Sequence, residues 1–161
     1  MVFEIFYKDK ANKFSNECEK IFDENNQDYI VYKKGISDHK NFNLLVATIN
    51  NHAVGYQIIY RGGDFIKKEG YGEYSNKFHY EDDAVYIWDM CTKKDFENKG
   101  VQQALISFLI NKYPDKNIYS LTDIENKASV HLQKKLGFEV IGSFDGHHND
   151  KYHIYIHKPK N

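Results

Sequence analysis

The feature that most constrains this chain is a strand that turns sharply into a helix between Asp89 and Leu105. An apolar run ending at Thr92 is followed by a polar stretch with a Lys-Gly step at Lys99 and Gly100, and then by a helical apolar pattern. The N-terminus of a helix presents unpaired N–H groups and the positive end of the helix dipole. Because Gly100 has no Cβ, an anion such as a diphosphate can approach the backbone closely. The segment therefore predicts a backbone anion site.

A second informative segment runs from Asn126 to Phe138, one predicted strand (Asn117 to Thr122) further along the chain. It reads Asn-Lys-Ala-Ser-Val-His-Leu-Gln-Lys-Lys-Leu-Gly-Phe and predicts a helix over Asn126 to Leu136. Asparagine is a favourable N-cap. The following Gly137 is typical of a left-handed C-terminal cap, with Phe138 folding back onto the last turn.

The remaining pattern predicts one α/β domain over residues 1–161, in which a mixed sheet is flanked by helices. Asn50-Asn51 is a plausible tight hairpin turn between two strands. We expect strands over Val2–Tyr7, Phe42–Ile49, Ala53–Arg61, Ala84–Thr92, Asn117–Thr122, Phe138–Phe144 and Lys151–Lys158, and helices over Lys10–Asn25, Asn98–Tyr113 and Asn126–Leu136, the last with Ala128, Leu132 and Leu136 in register.

Composition excludes several functional classes. Hydrophobic residues make up 41% of the chain and aromatic residues 16%, which excludes a disordered chain. The longest apolar run, Leu44 to Ile49, suits a buried strand and is too short to span a bilayer. A net charge of -1 with Arg61 as the single arginine argues against a nucleic-acid binder. Cys18, interpreted as a core residue, and Cys91 form no disulfide framework, so we expect a reducing cytoplasm.

The two segments, in this order and about one strand apart, resemble the GNAT N-acetyltransferase superfamily. The family's turn has the pattern Gln/Arg-x-x-Gly-x-Gly/Ala, of which Gly100 is kept, while Glu97 and Gln102 depart from it. The family's second pattern is Asn-x-x-Ser/Ala-x-x-Leu-Tyr-x-Lys-Leu-Gly-Phe. It is matched here by Asn126, Ser129, Leu132, Lys135, Leu136, Gly137 and Phe138. The resemblance covers roughly Ala84 to Lys158.

The resemblance implies a GNAT-like, mostly antiparallel twisted sheet and transfer of an acetyl group from acetyl-coenzyme A to a primary amine of a small molecule or peptide. From the composition and the histidine spacing we expect no metal, nucleic acid or membrane partner, and whether the chain forms a homodimer stays open. The family uses the turn amides for the pyrophosphate, and its asparagine bonds the pantetheine arm. The implied cofactor contacts are Met90, Cys91, Thr92, Asn98, Lys99, Gly100, Val101, Gln102, Gln103, Asn126, Ser129 and Lys135.

Acetyl transfer requires a deprotonated amine, although a free alkylamine titrates near ~10.4. Asp89 is the leading base candidate, because it is a lone carboxylate in an apolar strand just before the turn. The alternative is that Asp89 faces solvent or caps a neighbouring loop. Many family members carry a carboxylate one position earlier, where this chain has Trp88. Water, or a carboxylate from the run Glu81-Asp82-Asp83, is therefore a competing candidate for the general base.

Gln133 stands where the family's acid tyrosine is found, and an amide cannot protonate a thiolate. Tyr119 and Tyr155 are alternative acids, and the thiolate can also leave directly into water. These departures keep two other hypotheses open: a non-catalytic acyl-coenzyme A-binding or regulatory module, and an unrelated small α/β domain.

A cluster of His147, His148, Asp150 and His153 matches no zinc spacing, so a metal site is discounted there. His153 and His157 alternate with Ile154 and Ile156 and are expected on the outer face of the last strand.

Overall fold

The structure is a computed structural model, and it describes residues 1–25, 36, 39, 41–62, 81–145 and 151–159. Some sequence interpretations lie outside the described residues. They concern His147, His148 and Asp150 of the histidine cluster, the stretch Tyr29–Tyr32, whose sequence pattern is ambiguous, and Gly70-Tyr71-Gly72, a Gly-x-Gly pattern that is typical of a turn.

The described chain contains seven strands and three α-helices. 3-10 helices span Lys8–Phe14 and Lys94–Phe96. The strands are β1 (Glu4–Tyr7), β2 (Asn43–Ile49), β3 (His52–Arg61), β4 (Val85–Thr92), β5 (Ile118–Asp123), β6 (Glu139–Asp145) and β7 (Lys151–His157), and the helices are α1 (Ser15–Asn25), α2 (Val101–Lys112) and α3 (Lys127–Lys135).

Two predicted turns follow from residues that tolerate left-handed backbone. Asn50 and Asn51 have φ of 50° and 63° and join β2 to β3, which confirms the hairpin. Gly137 has φ of 90° and follows α3. Its N–H donates to Lys134 O at 3.1 Å, and the N–H of Phe138 donates to Gln133 O at 2.9 Å, which together form a Schellman cap.

The chain divides into two compact units. The first comprises Met1–Ile59 and Asp89–Leu109. In it β1 pairs antiparallel with β2, and β2 with β3, with a register shift between Ala47 and Thr48. Its core contains side chains from the 3-10 helix Lys8–Phe14 and from α1, β2, β3 and α2, among them Phe14, Cys18, Ile21, Leu44, Leu45, Val46, Val54, Tyr56, Val101, Leu105 and Ile106.

The second unit comprises Tyr60–Trp88 and Ile110–Asn161. Residues Val85, Tyr86 and Ile87 of β4 pair parallel with Ile118, Tyr119 and Ser120 of β5. Strand β7 then pairs antiparallel with both β5 and β6, so that the chain ends in the expected hairpin. The last four residues of β7, from Ile154 to His157, are all buried, so both faces of this half of the strand are covered. His157 is therefore buried against Phe138, with ring centroids 5.2 Å apart, and its expected place on an outer face is wrong.

The seven strands are hydrogen-bonded in the order β1-β2-β3-β4-β5-β7-β6. Among the neighbouring pairs whose register is described, β4–β5 is parallel and the others are antiparallel, which confirms a mixed, mostly antiparallel sheet flanked by helices. No helix in the described ranges has the length and apolar character that a membrane crossing needs.

Candidate active site

The turn that precedes α2 leaves backbone accessible. Asn98 and Gly100 have φ of 61° and 85°, and both residues are exposed. A Cβ placed on Gly100 would meet no atom of the described residues within 4 Å. The helix begins at Val101, and the carbonyl of Gly100 accepts the N–H of Ala104 at 3.0 Å. Amides of a first helical turn have no intrahelical acceptor, so this turn can hold an anionic group on its backbone.

The side chains around this turn are of mixed charge. Glu97 is exposed, as are Lys94 and Lys99, and Lys99 Nζ lies 5.5 Å from the centre of the Phe96 ring. A carboxylate in water interacts with a charge ~4 Å away by only about 1 kcal/mol. Because a repulsion of this size is small, Glu97 by itself does not exclude an anion from the turn.

Gln102 points inward, which changes the interpretation of its departure from the family pattern. Its Nε2 donates to Cys91 O at 2.9 Å and to Thr92 Oγ1 at 3.0 Å, and lies 3.5 Å from Tyr56 O. Its Oε1 accepts from Gln57 Nε2 at 3.0 Å. The long side chain therefore bonds the first turn of α2 to strands β3 and β4.

Sequence reasoning missed two residues of β3 that shape this region. A Cβ on Gly55 would lie closer than 3.0 Å to Val101 Cγ1, so a glycine is needed for the approach of α2 to β3. Gln57 is fully buried and is the partner of Gln102. An amide inside the apolar run of β3 was the signal that could have identified Gln57.

The end of β4 is bonded on several sides. Lys93 N–H donates to Val54 O at 2.9 Å, and Asn25 Nδ2 donates to Thr92 O at 2.9 Å. The Cys91 thiol lies 3.8 Å from Ile21 O, which is a weak hydrogen bond to α1. Met90, Cys91 and Thr92 are half-buried. The structure thus brings Cys91 and Thr92 together with Gln102 by side-chain hydrogen bonds.

Asp89, the leading base candidate, is half-buried near the end of β4. Its Oδ1 accepts the N–H of Met90 at 2.9 Å, so part of its polar capacity serves the local backbone. Burial raises the pKa of Tyr56, and the charges of Asp89 and Cys91 raise it further. Burial likewise raises the pKa of Cys18, which agrees with its interpretation as a core thiol.

Helix α3 begins with the expected cap, because Asn126 Oδ1 accepts the N–H of Ser129 at 3.2 Å. Lys135 is exposed in the last turn. Among the described residues of α3, Gln133 is the buried one, so the expected apolar stripe is wrong as a description of the packed face. Gln133 Nε2 donates to Thr122 Oγ1 on β5, and no described residue bonds its buried Oε1.

The competing base and acid candidates Glu81 and Tyr119 bond each other. The Tyr119 hydroxyl donates to the Glu81 carboxylate, which also accepts from Asn117 Nδ2 at 2.9 and 3.1 Å. Tyr119 stacks on Tyr86 with ring centroids 5.1 Å apart. Burial, and then the hydrogen bond to Glu81, raise the pKa of Tyr119. Burial also raises the pKa of Tyr155. Glu81 is thus engaged in a local network.

The Acetyltransferase (GNAT) family matches residues 3–138 of the chain. A search of curated proteins found no match. The described residues contain no group of three or more His, Cys, Asp or Glu side chains arranged to hold a metal ion.

Solved structures share the fold at low sequence identity. A structure described as histone acetyltransferase HPA2 and related acetyltransferase, from Corynebacterium glutamicum, has a TM-score of 0.69 and 16% identity, covering 100% of this chain and 98% of that one. The ribosomal-protein-S18-alanine N-acetyltransferase from Escherichia coli has a TM-score of 0.68 and 12% identity, covering 96% and 92%. NAA60 from Arabidopsis thaliana, in complex with acetyl-CoA, has a TM-score of 0.65 and 11% identity, covering 97% and 98%.

Proposed function

The chain belongs to the GNAT acetyltransferase family, and on that premise we propose that it transfers an acetyl group from acetyl-coenzyme A to a primary amine of a small molecule or peptide. In this reaction the amine nitrogen attacks the thioester carbonyl carbon and forms a tetrahedral oxyanion. The C–S bond then breaks, coenzyme A leaves as its thiolate, and the amine gives up a proton. The products are an N-acetylated amine and coenzyme A.

The observation that carries this proposal is the open backbone turn at Gly100. Its positive φ, the empty space beside its Cα and the start of α2 at Val101 together suit the diphosphate of coenzyme A. On this proposal Asn98, Lys99 and the first-turn residues Val101, Gln102 and Gln103 contribute backbone groups. Two solved neighbours are described as bound to CoA or acetyl-CoA, which supports this choice of ligand.

Asp89 is the proposed base, since its half-buried carboxylate lies in the segment that leads into the turn. The backbone of Met90, Cys91 and Thr92 is the proposed source of the oxyanion and pantetheine contacts. The contacts of Asn126, Ser129 and Lys135 with the cofactor stay predictions, as do a single domain, a homodimer and a cytoplasmic location.

A matched pair of variants tests the turn. Asparagine and aspartate both tolerate a positive φ and have similar volumes, so Gly100→Asn and Gly100→Asp differ mainly in charge. We expect Gly100→Asp to bind coenzyme A at least about tenfold more weakly than Gly100→Asn, a difference of about 1.4 kcal/mol, measured by calorimetric titration. Equal affinities for the two variants would remove the turn from the proposal.

The transfer step is tested by thiol release from acetyl-coenzyme A over a panel of polyamines, amino sugars and peptide N-termini. Asp89→Asn keeps the acceptor for the Met90 N–H and removes the base. We expect it to lower turnover by about 10²-fold or more with coenzyme A affinity unchanged. Binding without thiol release on any amine would select the non-catalytic module, and no binding at millimolar ligand would refute the proposal.

A further inference from the structure

The Gln102 amide bonds to three residues on two strands of the first unit, β3 and β4. Its Nε2 donates to the carbonyl of Cys91 and the hydroxyl of Thr92, and its Oε1 accepts from Gln57. An amide carries two N–H groups and one carbonyl oxygen, so these contacts use both donors and occupy the acceptor. A side chain engaged in this way is directed at the strands, and Gln102 can therefore act on a ligand only through its backbone.

Gln57 makes this arrangement specific. It is fully buried, and no described residue bonds its Oε1. The bond to Gln102 is the one described contact of its buried amide, at 3.0 Å. A buried polar group strongly favours the conformation that keeps its partner. The pair therefore holds the first turn of α2 in one position relative to β3.

Packing on the same face reinforces the position of this turn. Gly55 lies two residues before Gln57 on β3, so both face the same side of the strand. A Cβ on Gly55 would collide with Val101, whose side chain is 2% exposed. The helix start is thus seated on a glycine and bonded through a glutamine pair. The backbone N–H groups that directly follow Gly100 belong to Val101 and Gln102, the residues that make these contacts.

We propose that Gln102 is a positioning residue, which with Gln57 holds the first-turn amides of α2 in the geometry that receives the diphosphate. This inference builds on the proposed function, because the turn has to bind coenzyme A. It gives a reason for a long amide where the family pattern has a small residue. The side chain fixes the turn from behind and leaves the ligand side open.

The test compares Gln102→Met with a control substitution that also removes a buried side-chain hydrogen bond at nearly constant volume. Methionine keeps the length and helix propensity of glutamine and removes both donors and the acceptor. Thr48→Val is the control, because Thr48 is also fully buried in the first unit and loses its bond to Glu4 O at 3.1 Å without touching the turn. Both variants are studied well below their unfolding temperatures, so that only folded protein is observed.

Amide hydrogen exchange of the ligand-free protein is the first measurement, followed at residues 104–107. The Ala104 N–H donates to Gly100 O and is protected, whereas the N–H groups of residues 101–103 have no intrahelical acceptor and exchange freely in any variant. We expect exchange in this segment to be about tenfold faster in Gln102→Met and unchanged in Thr48→Val. We also expect Gln102→Met to raise the dissociation constant of coenzyme A and the KM for acetyl-coenzyme A about tenfold, with kcat within about twofold of the wild type. Gln57→Met should have the same effect in smaller degree, since Gln102 keeps Cys91 and Thr92.

If the amides of this segment exchanged in Gln102→Met at the same rate as in the wild-type protein, the inference would be overturned. So would faster exchange with unchanged coenzyme A affinity, because the turn would then be ordered without positioning its ligand. If the wild-type protein itself bound no coenzyme A at millimolar concentration, the proposed function would fail. The ligand-free exchange would still decide whether the glutamine pair holds the turn.

Discussion

Replacing Gly55 with alanine is expected to force β3 and α2 apart. The added methyl would lie closer than 3.0 Å to Val101 Cγ1 and 3.2 Å from Cys91 O, whereas carbon atoms pack best at about 3.5–4.0 Å. Valine in a helix has one strongly preferred rotamer, so Val101 cannot simply rotate away. The carbonyl of Cys91 is fixed in β4. The strain has to be relieved by moving the start of α2.

The magnitude follows from the size of the overlap. Overpacking a core costs about 1–3 kcal/mol. Alanine also lowers the conformational entropy of the unfolded chain relative to glycine, which offsets about 0.4–1 kcal/mol. Gly55→Ala should therefore lose roughly 1–2 kcal/mol of unfolding free energy. Val101→Ala removes two buried methyl groups and should lose about 1.5–2 kcal/mol. In the double variant the new methyl enters the space that Val101 vacates. The double variant should lose at least about 1 kcal/mol less unfolding free energy than the sum of the losses in the two single variants.

Urea unfolding of the four proteins, followed by far-UV circular dichroism, measures this coupling. Gly142→Ala is the matched control, because a Cβ on this strand glycine would meet, among the described residues, only Ile154 Cδ1 at an ordinary 3.5 Å. We expect its unfolding free energy to change by less than about 0.5 kcal/mol. Additive losses, within about 0.5 kcal/mol, would show that the residues at 55 and 101 do not contact and would refute the reasoning.

Three further outcomes are expected. Burial raises the pKa of Cys18, so iodoacetamide at pH 8 should label this thiol only as the protein unfolds, and labelling at the rate of a free thiol would contradict its core position. Asn126→Ala should lose about 1 kcal/mol of unfolding free energy while Asn126→Asp keeps the cap, and equal losses would argue against capping. Because the pKa of Tyr119 is raised, its phenol keeps the proton above pH ~10 in the folded protein and loses it in the unfolded chain. The contribution of Tyr119 to the unfolding free energy is therefore intact below that pH and is lost as the pH rises. Tyr119→Phe should therefore make the alkaline fall in urea midpoint shallower, and an unchanged slope would contradict this.

Local patterns account for most of the elements. Each predicted strand and helix lies within three residues of its observed bounds, except that the helix expected from Lys10 opens as the 3-10 helix Lys8–Phe14 before α1. The turns at Asn50-Asn51 and Gly137 were predictable for the same reason. The tolerance of asparagine and glycine for a positive φ is a property of the residue itself and depends on no distant partner.

The hydrogen-bond partners of the glutamines were not predictable. From the sequence, Gln102 is interpreted as a departure from the family's turn pattern and Gln133 as a missing acid. In the structure Gln102 bonds to β3 and β4, and Gln133 is buried against Thr122. Gln57 was overlooked, because its partner lies 45 residues further along the chain. Hydrogen-bond partners at such separations depend on strand register and helix docking, neither of which is written in a local pattern.

The sequence by itself therefore determined the order of strands and helices, the glycine turn before α2 and the family to which the chain belongs, because periodicity, capping residues and motif spacing are properties of neighbouring residues. Only the tertiary structure decided which polar side chains face inward. Glutamine is compatible with either solvent or a buried amide network, and the choice depends on whether packing brings a partner such as Gln57 within hydrogen-bonding distance.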